Sequence, residues 1–291
     1  MKPSDFIHPE DSAAIRQLEN IPGFPTLLKK FYAIGLEKLQ YGINMASNIR
    51  LSESQLPDIY KHLPPICNTL GIEVPELYLE MNPMPNACTF GDTRVFIKVT
   101  SGLVEQLTDE ELDAVLAHEC GHILCRHVIY HSLAQYIVQF ADNLGLVGDL
   151  ATPLIYALLY WQRKSEFSCD RAAAIVTNPQ TVSQTMVRLA GGPKSITGSI
   201  NVKEWAKQAD RYEEIRTDGI LNKVFQTYAT MGQSHPFAAV RVREILKWGR
   251  SQAYQNIKQR LLAPTQGKCP SCLNVIEPNW QFCRHCGYKL N

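Results

Sequence analysis

The chain of 291 residues has a formal net charge of +1 and is 45% hydrophobic and 20% charged. This composition is typical of a globular protein with a sizeable core, and the length indicates one large domain with an appendage, or two domains. Because the net charge is close to zero, overall charge gives no support for nucleic-acid binding, and we expect no nucleic-acid partner.

The first twenty residues, MKPSDFIHPEDSAAIRQLEN, are polar and lack the apolar segment of a secretory signal. The longest uncharged stretches, 127–141 and 150–162, are shorter than the ~20 apolar residues that a membrane-spanning helix needs. They favour buried core helices, with a shallow contact with a bilayer as the alternative. Cysteines that are not arranged as a disulfide framework fit a reducing compartment. We therefore expect a cytoplasmic protein whose membrane contact is at most peripheral.

Residues 1–50 are predicted to be a helical N-terminal segment, interrupted by the loop IPGFP at 21–25. Residues 75–82 alternate between apolar and polar side chains, as strands do. Residues 94–100 contain the β-branched and aromatic residues that strands favour. The prolines between them favour an edge strand or a turn. This part of the chain therefore predicts a small sheet.

A helix is predicted to begin near residue 109, because Thr108 and Glu111 form a capping box and acidic residues occupy the first turn. A second long helix is predicted to run from about 150 to the Asn178-Pro179 pair. Residues 191–199 are predicted to be a loop. Further helical segments are predicted at 201–232 and from 234 to 262, followed by the polar connector PTQGK. The fold class is therefore predicted to be α+β and mostly helical.

The segment HECGH contains two histidines four positions apart. On a helix such residues are about 40° apart in rotation, so His118 and His122 project from one face and can chelate one cation. On a continuous helix His127 and His131 lie about 180° and 220° from His118. They are therefore predicted to be excluded from that ion, as a partly buried or surface pair.

Glu119 lies beside these ligands and has the chemistry of a general base that takes a proton from zinc-bound water. Catalytic zinc needs a third protein ligand, and SEFSCD offers Glu166, with Asp170 one helical turn further on. Asp170 is predicted to orient a ligand imidazole by a hydrogen bond. The alternative for this pair is an exposed acidic pair beside neighbouring arginine and lysine side chains.

Two later residues are candidates for supporting roles. His235, in SHPF, is either a turn residue or a loop donor that stabilises the oxyanion of a tetrahedral intermediate. Arg241 either holds a carboxylate in the core or faces solvent.

The motifs HECGH, SEFSCD and SHPFAAVR, in this order, resemble those of the zinc metallopeptidases that include the CAAX prenyl proteases and the heat-shock protease HtpX. The resemblance covers about residues 52–248 and implies a zincin domain of the gluzincin type. It also implies that an Asn-Ala segment, here Asn86-Ala87, forms an edge strand that pairs with substrate backbone. The remaining implied roles are zinc ligands His118, His122 and Glu166, general base Glu119, positioning residue Asp170 and transition-state contact His235, with a looser match at Arg241.

The chain ends in two cysteine pairs at the spacing of a metal knuckle: Cys269, Cys272, Cys283 and Cys286. Four thiolates complete a closed tetrahedral site, which is structural, and so short a segment depends on its metal to fold. The predicted organisation is a helical segment at 1–50, a metallopeptidase domain at 51–250, a linker at 251–266 and a zinc ribbon at 267–291.

These observations predict a zinc metalloendopeptidase with one catalytic and one structural Zn²⁺. Its substrate is predicted to be a peptide or an unfolded protein, and the ribbon is a candidate surface for a protein partner. One alternative is a peptide-binding or chaperone-like adaptor that uses the same cleft, although a binder has no need of Glu119. The other is a metal-dependent hydrolase of non-peptide substrates, against which the edge-strand segment argues.

Overall fold

The computed structural model describes residues 1–24, 28, 31, 36–91, 93–140, 151–217, 237–262, 269, 271–272, 274–277 and 279–290. Its contacts divide the chain into two compact units, Met1–Ser251 and Gln252–Asn291. Most of the predicted linker at 251–266 is a helix, Gln252–Leu262, and its last residues, with the connector PTQGK, lie outside the described residues.

The described elements up to the first long helix are a short 3-10 turn Pro3–Asp5, α1 (Pro9–Glu19), α2 (Leu36–Ser47), β1 (Ile49–Leu51), α3 (Pro57–Tyr60), α4 (Leu63–Leu70), β2 (Glu76–Glu80), β3 (Ala87–Phe90), β4 (Phe96–Thr100) and α5 (Ser101–Gln106). The remaining described elements are α6 (Asp109–Leu124), α7 (Val128–Phe140), α8 (Ala151–Val176), α9 (Pro179–Gly191), α10 (Lys194–Thr197), α11 (Val202–Ala206), α12 (Gln208–Thr217), α13 (Ala238–Trp248) and α14 (Gln252–Leu262).

The strands form a small mixed sheet in the order β1-β2-β4-β3. β2 and β4 are parallel, whereas β1 and β3 pair antiparallel with their neighbours. The strands predicted at 75–82 and 94–100 are confirmed as β2 and β4, and the proline-containing segment between them supplies the edge strand β3. Ile49 and Arg50, two of the three residues of β1, were predicted to be helical, and they are extended because they pair with β2.

The first long helix, α6, begins where its capping box predicts. Thr108 N donates to Glu111 Oε2 at 3.0 Å, and Glu111 N donates to Thr108 Oγ1 at 3.4 Å. The helix ends at Leu124, and Arg126 has a positive φ of 59°, in the left-handed region. Because the next helix starts at Val128, the chain changes direction directly after the HECGH segment.

The second long helix, α8, also ends where it was predicted, before the Asn178-Pro179 pair. The loop predicted at 191–199 is corrected in part, because Lys194–Thr197 form the short helix α10. Thr197 is buried there and accepts a hydrogen bond from Arg188 Nη1. This tertiary contact stabilises a helical turn in residues whose own sequence only weakly favours a helix. No helix in the described ranges has the length and apolar character to cross a membrane.

Helices α6 and α8 approach each other closely at Gly121. A Cβ atom added there would lie 2.9 Å from Ala172 Cβ and 3.0 Å from Cys169 Cα. The absence of a side chain at this position lets the HECGH segment pack directly against the SEFSCD segment.

Gly121→Ala should therefore lower the free energy of unfolding by about 1–3 kcal/mol, because overpacking forces the two helices apart. Gly42→Ala is the matched control, since Gly42 lies on exposed helix α2 with open space around it. That change should stabilise the fold by up to about 1 kcal/mol. Denaturant unfolding measures both, and equal effects of the two substitutions would contradict the close-packing argument.

Candidate metal centre

Helices α6 and α8 bring three of the predicted metal ligands together in the interior. His118 and His122 project from α6, Glu166 projects from α8, and all three are buried. His118 Nε2 lies 3.4 Å from Glu166 Oε2, and His122 Nε2 lies 3.4 Å from Glu166 Oε1. One carboxylate therefore faces the Nε2 atoms of both histidines.

This arrangement fits a zinc ion. Two ligand atoms that are each 2.0–2.1 Å from a tetrahedral zinc are about 3.3 Å apart, close to both observed separations. The donor set of two imidazoles and a carboxylate is also the chemistry of a catalytic zinc site. His118, His122 and Glu166 are therefore compatible with one shared ion.

Glu119 lies on the same helix and is almost completely buried, with an exposed fraction of 1%. Thr89, from the edge strand β3, donates from Oγ1 to Glu119 Oε2 at 2.7 Å. This contact fixes the orientation of the carboxylate. Sequence reasoning missed Thr89, because its inward position is seen only in the structure, where burial alternates along β3.

Asp170 and Arg241 form a buried ionic cluster with the candidate ligands. Asp170 Oδ1 lies 3.0 Å from His118 Nδ1, and Arg241 Nε donates to Asp170 Oδ2 at 2.8 Å. Arg241 Nη1 also lies 3.0 Å from Glu166 Oε2. Burial alone would raise the pKa of Asp170, but Arg241 and His118 lower it below its ordinary value. Asp170 is therefore ionised and accepts a hydrogen bond from His118. Arg241 does not face solvent but holds carboxylates in the core, which was the first of its two predicted alternatives.

The predicted placement of His127 and His131 on the opposite side of a continuous helix from His118 is wrong, whereas their exclusion from the ion stays a prediction. The break at Arg126 turns the chain, so the ring centroids of His127 and His131 lie 5.5 Å and 4.5 Å from that of His122. His127 is 4% exposed, and His131 is partly buried. The helical wheel failed because it assumed a continuous helix through residues 125–127.

Two other sets of described side chains also have donor atoms within 4.8 Å of one another: His118, His122 and Cys169, and His122, His131 and Glu166. Cys169 is a poor alternative, because burial raises the pKa of its thiol well above the ordinary value. His131 Nε2 lies 2.8 Å from Ser165 Oγ, which itself donates to Gln162 O. That hydrogen bond makes Nε2 of His131 a donor and not a ligand. The set of His118, His122 and Glu166 is therefore the best supported.

A cavity of about 550 Å³ opens beside Glu119 and His118. Much of its wall is apolar and includes Met84, Leu103, Val115, Val182, Met186 and Leu189. Its size and lining suit an apolar side chain of a bound molecule.

The predicted substrate segment Asn86-Ala87 lies at the start of β3, on the rim of this cavity. Thr100 N donates to Asn86 O at 3.0 Å, and Asn86 N donates to Thr100 Oγ1 at 2.9 Å. Because hydrogen bonding to a neighbour alternates along an antiparallel strand, the main-chain N–H and C=O of Ala87 are directed away from β4. The main chain of Asn86 instead pairs with Thr100 of β4, and Asn86 also lines the cavity. His235, the predicted oxyanion contact, lies outside the described residues.

In the C-terminal unit, the four predicted cysteines come together. Cys269 Sγ lies 3.6 Å from Cys286 Sγ, and Cys272 Sγ lies 3.5 Å from Cys283 Sγ. These separations are close to the about 3.8 Å expected for sulfurs bound to one tetrahedral zinc. Hydrogen bonds from Asn274 lower the pKa of Cys272 to about 6, which favours the thiolate that a metal needs.

Zinc binding at the candidate centre should weaken as the pH falls, because a proton competes with the metal at His118. Burial by itself lowers the pKa of His118, but Glu166 and Asp170 raise it to about 9 in the metal-free site. His122 does not compete in this way, because burial lowers its pKa. We therefore expect the apparent zinc affinity to fall about tenfold from pH 8 to pH 7, measured by chelator competition.

The stability of the metal-free fold should depend on pH in the opposite direction to zinc affinity. Because the pKa of His118 in the fold exceeds its ordinary 6.5, the proton on His118 stabilises the metal-free fold below about pH 6.5. This stabilisation is lost as the pH rises through about 9. Asp170→Asn removes one carboxylate that raises the pKa, so the onset of pH dependence should move to lower pH. A zinc affinity that does not change between pH 7 and pH 8 would contradict the assignment.

Comparison with known proteins gives a family match over most of the larger unit. The family described as "Peptidase family M48" matches residues 66–249, more than half of the chain. No solved structure matches the chain.

Several curated proteins are similar to the chain. The chain is 35% identical over 260 residues to "Plastoglobule-localized metallopeptidase 48, chloroplastic" of Arabidopsis thaliana, covering 88% of this chain and 75% of that protein. It is 26% identical to "Protease HtpX homolog 2" of Methanosarcina mazei, over 51% of this chain and 60% of that protein. It is 24% identical to "Protease HtpX" of Legionella pneumophila strain Corby, over 64% of this chain and 75% of that protein.

Proposed function

The chain belongs to peptidase family M48 and is a metalloprotease, and from its buried site we propose that it is a zinc-dependent endopeptidase with Glu119 as general base. The observation that carries this proposal is the convergence of His118, His122 and Glu166, with both Nε2–carboxylate separations at 3.4 Å. Glu119 lies next to these groups on the same helix without being one of the three ligands.

The catalytic residues act around the scissile carbonyl. A bound zinc would supply Lewis acidity, which polarises the carbonyl and acidifies a water molecule. Glu119 takes a proton from the attacking water and later gives it to the leaving amine. Thr89 holds the Glu119 carboxylate in place for both transfers, through its 2.7 Å hydrogen bond. His235 is proposed to stabilise the oxyanion.

Internal cleavage, as opposed to trimming of chain ends, is supported by the edge strand. An extended peptide that lies alongside β3, near the Asn86-Ala87 segment, would continue past the site in both directions. The apolar cavity beside Glu119 would accept one side chain of that peptide. The proposed substrate is therefore a peptide or an unfolded protein segment that can adopt an extended conformation.

The cysteine cluster is proposed to bind a second, structural zinc in a ribbon at 267–291. Its four thiol groups have sulfur separations suited to one ion, and a closed set of four protein ligands leaves no position for a substrate. We propose that the ribbon serves as a docking surface for a protein partner, while the metallopeptidase domain at 51–250 carries out cleavage.

Metal removal tests this function. An unstructured protein should be cleaved at internal bonds by the zinc-loaded enzyme, and a zinc chelator should reduce cleavage at least about a hundredfold. Zinc added back after removal of the chelator should restore it. Binding of the unstructured protein without cleavage would overturn the endopeptidase proposal in favour of an adaptor. Release of single terminal residues would instead overturn the internal-cleavage part.

A further inference from the structure

The two histidines of the proposed zinc site are supported in different ways. The Nδ1 atom of His118 lies 3.0 Å from a carboxylate oxygen of Asp170. The Nδ1 atom of His122 lies 3.3 Å from Nδ1 of a third histidine, His127. A ligand histidine usually donates from its second ring nitrogen, and the partner that accepts this proton fixes the ring orientation. His127 therefore occupies for His122 the place that Asp170 occupies for His118.

His127 is linked on its other side to a carboxylate from the N-terminal helix. Its Nε2 atom lies 3.1 Å from Asp11 Oδ2. Asp11 is 1% exposed, and it also accepts from Trp161 Nε1 at 3.0 Å and from Ser168 Oγ at 2.5 Å. Burial alone would raise the pKa of Asp11, but these hydrogen bonds, first that of His127, lower it below the ordinary value. Asp11 is thus a buried carboxylate held in place by three side chains.

One arrangement of protons satisfies the two hydrogen bonds that link His122, His127 and Asp11. If Nε2 of His122 faces the metal, its Nδ1 carries the proton and donates to Nδ1 of His127. The Nε2 atom of His127 then carries a proton and donates to Asp11. The negative charge of Asp11 favours this tautomer of His127, which in turn favours the tautomer of His122 that binds a metal.

We propose that Asp11 and His127 are positioning residues for the catalytic zinc, which orient His122 through a chain of two imidazoles and one carboxylate. This inference rests on the proposed function, and it assigns a role to α1, which lies outside the region matched by the family. From the sequence, residues 1–50 are predicted only to be a helical N-terminal segment, with no role at the site. In this arrangement they provide part of the support for the metal ligands.

A simpler role for Asp11 is to anchor α1 to the rest of the unit. Ser168 Oγ also accepts from His8 N at 3.0 Å, and Leu18 of the same helix is fully buried in a cluster with Trp161. The two roles differ in what they do to the metal. Loss of an anchor lowers the stability of the fold, whereas loss of an orienting group weakens metal binding in a protein that is still folded.

The test uses cobalt(II) as the probe in the full-length protein, with Asp11→Asn, His127→Ala and the control Leu18→Ala. A four-thiolate site has a sulfur-to-metal charge-transfer band that a site of nitrogen and oxygen ligands lacks, so the two sites can be titrated separately. We expect cobalt affinity at the nitrogen and oxygen site to fall about tenfold in Asp11→Asn and about 10–100-fold in His127→Ala. The ligand-field spectrum of that site should also change at saturation.

Leu18→Ala should lower the melting temperature but leave the affinity and the ligand-field spectrum as in the wild type. The proposal is overturned if Asp11→Asn and His127→Ala bind cobalt like the wild type, or if Leu18→Ala weakens binding as much as they do. His118→Ala separates this failure from that of the proposed function. If His118→Ala leaves the nitrogen and oxygen site intact, the metal centre itself is wrongly assigned.

Discussion

Glu119→Gln should strongly reduce peptide cleavage while leaving the two proposed zinc ions bound. The substitution preserves the size of the side chain but removes the group that accepts a proton from the attacking water. General-base catalysis contributes about 10²–10⁴-fold to a rate, so we expect kcat to fall by that factor. Glu119 is not one of the three proposed ligands, so metal content should stay at about two ions per chain. Rate measurements on an unstructured protein, with zinc analysis of the same samples, test both statements.

Thr89→Val provides a graded comparison for this result. It removes the hydroxyl that donates to Glu119 Oε2 but keeps the general base. We expect a smaller loss of kcat than in Glu119→Gln, together with unchanged zinc content. Cleavage by Glu119→Gln at more than about a tenth of the wild-type rate would sink the general-base assignment.

Glu166→Ala should reduce the zinc content from about two ions per chain to about one and should eliminate cleavage. The carboxylate of Glu166 faces the Nε2 atoms of His118 and His122, so its loss removes the proposed third ligand. Arg241 would keep Asp170 as an ionic partner, which limits the damage to the fold. Zinc analysis after dialysis measures the count, and circular dichroism shows whether the helices are retained.

The remaining ion in Glu166→Ala should belong to the cysteine cluster. It should therefore be lost when Cys269 and Cys272 are also replaced by serine. Retention of two ions in Glu166→Ala would show that another side chain is the third ligand. His131 and Cys169 are the candidates in that case, because each lies within 4.8 Å of ligand histidine atoms.

Parts of the fold and of the site could be predicted because they depend on local spacing. The capping box at Thr108 marks the start of α6, and a separation of four residues puts His118 and His122 on one face. The same separation relates Glu166 to Asp170 on α8. These features follow from the geometry of one helix, so they need no knowledge of which elements pack together.

Other parts could not be predicted because they arise from contacts between distant segments. The left-handed residue at the end of α6 is Arg126, neither a glycine nor an asparagine, so the sequence gives no signal of the turn that returns His127 towards His122. Thr89 and Asp11 reach the site from a strand and from the N-terminal helix. A polar residue on an edge strand, or an acidic residue in a first helical turn, is ordinarily exposed to solvent.

The buried contacts of Arg241 also bear on the order in which the site can assemble, because they join residues that are far apart in the chain. Arg241 binds both Glu166 and Asp170, and in a chain synthesised from its N-terminus it is the last of these residues to emerge. Until it does, two buried carboxylates lack the cation that neutralises them, and burying them is costly. We therefore expect a chain truncated before Arg241 to contain the HECGH segment without a stable form of the proposed metal centre.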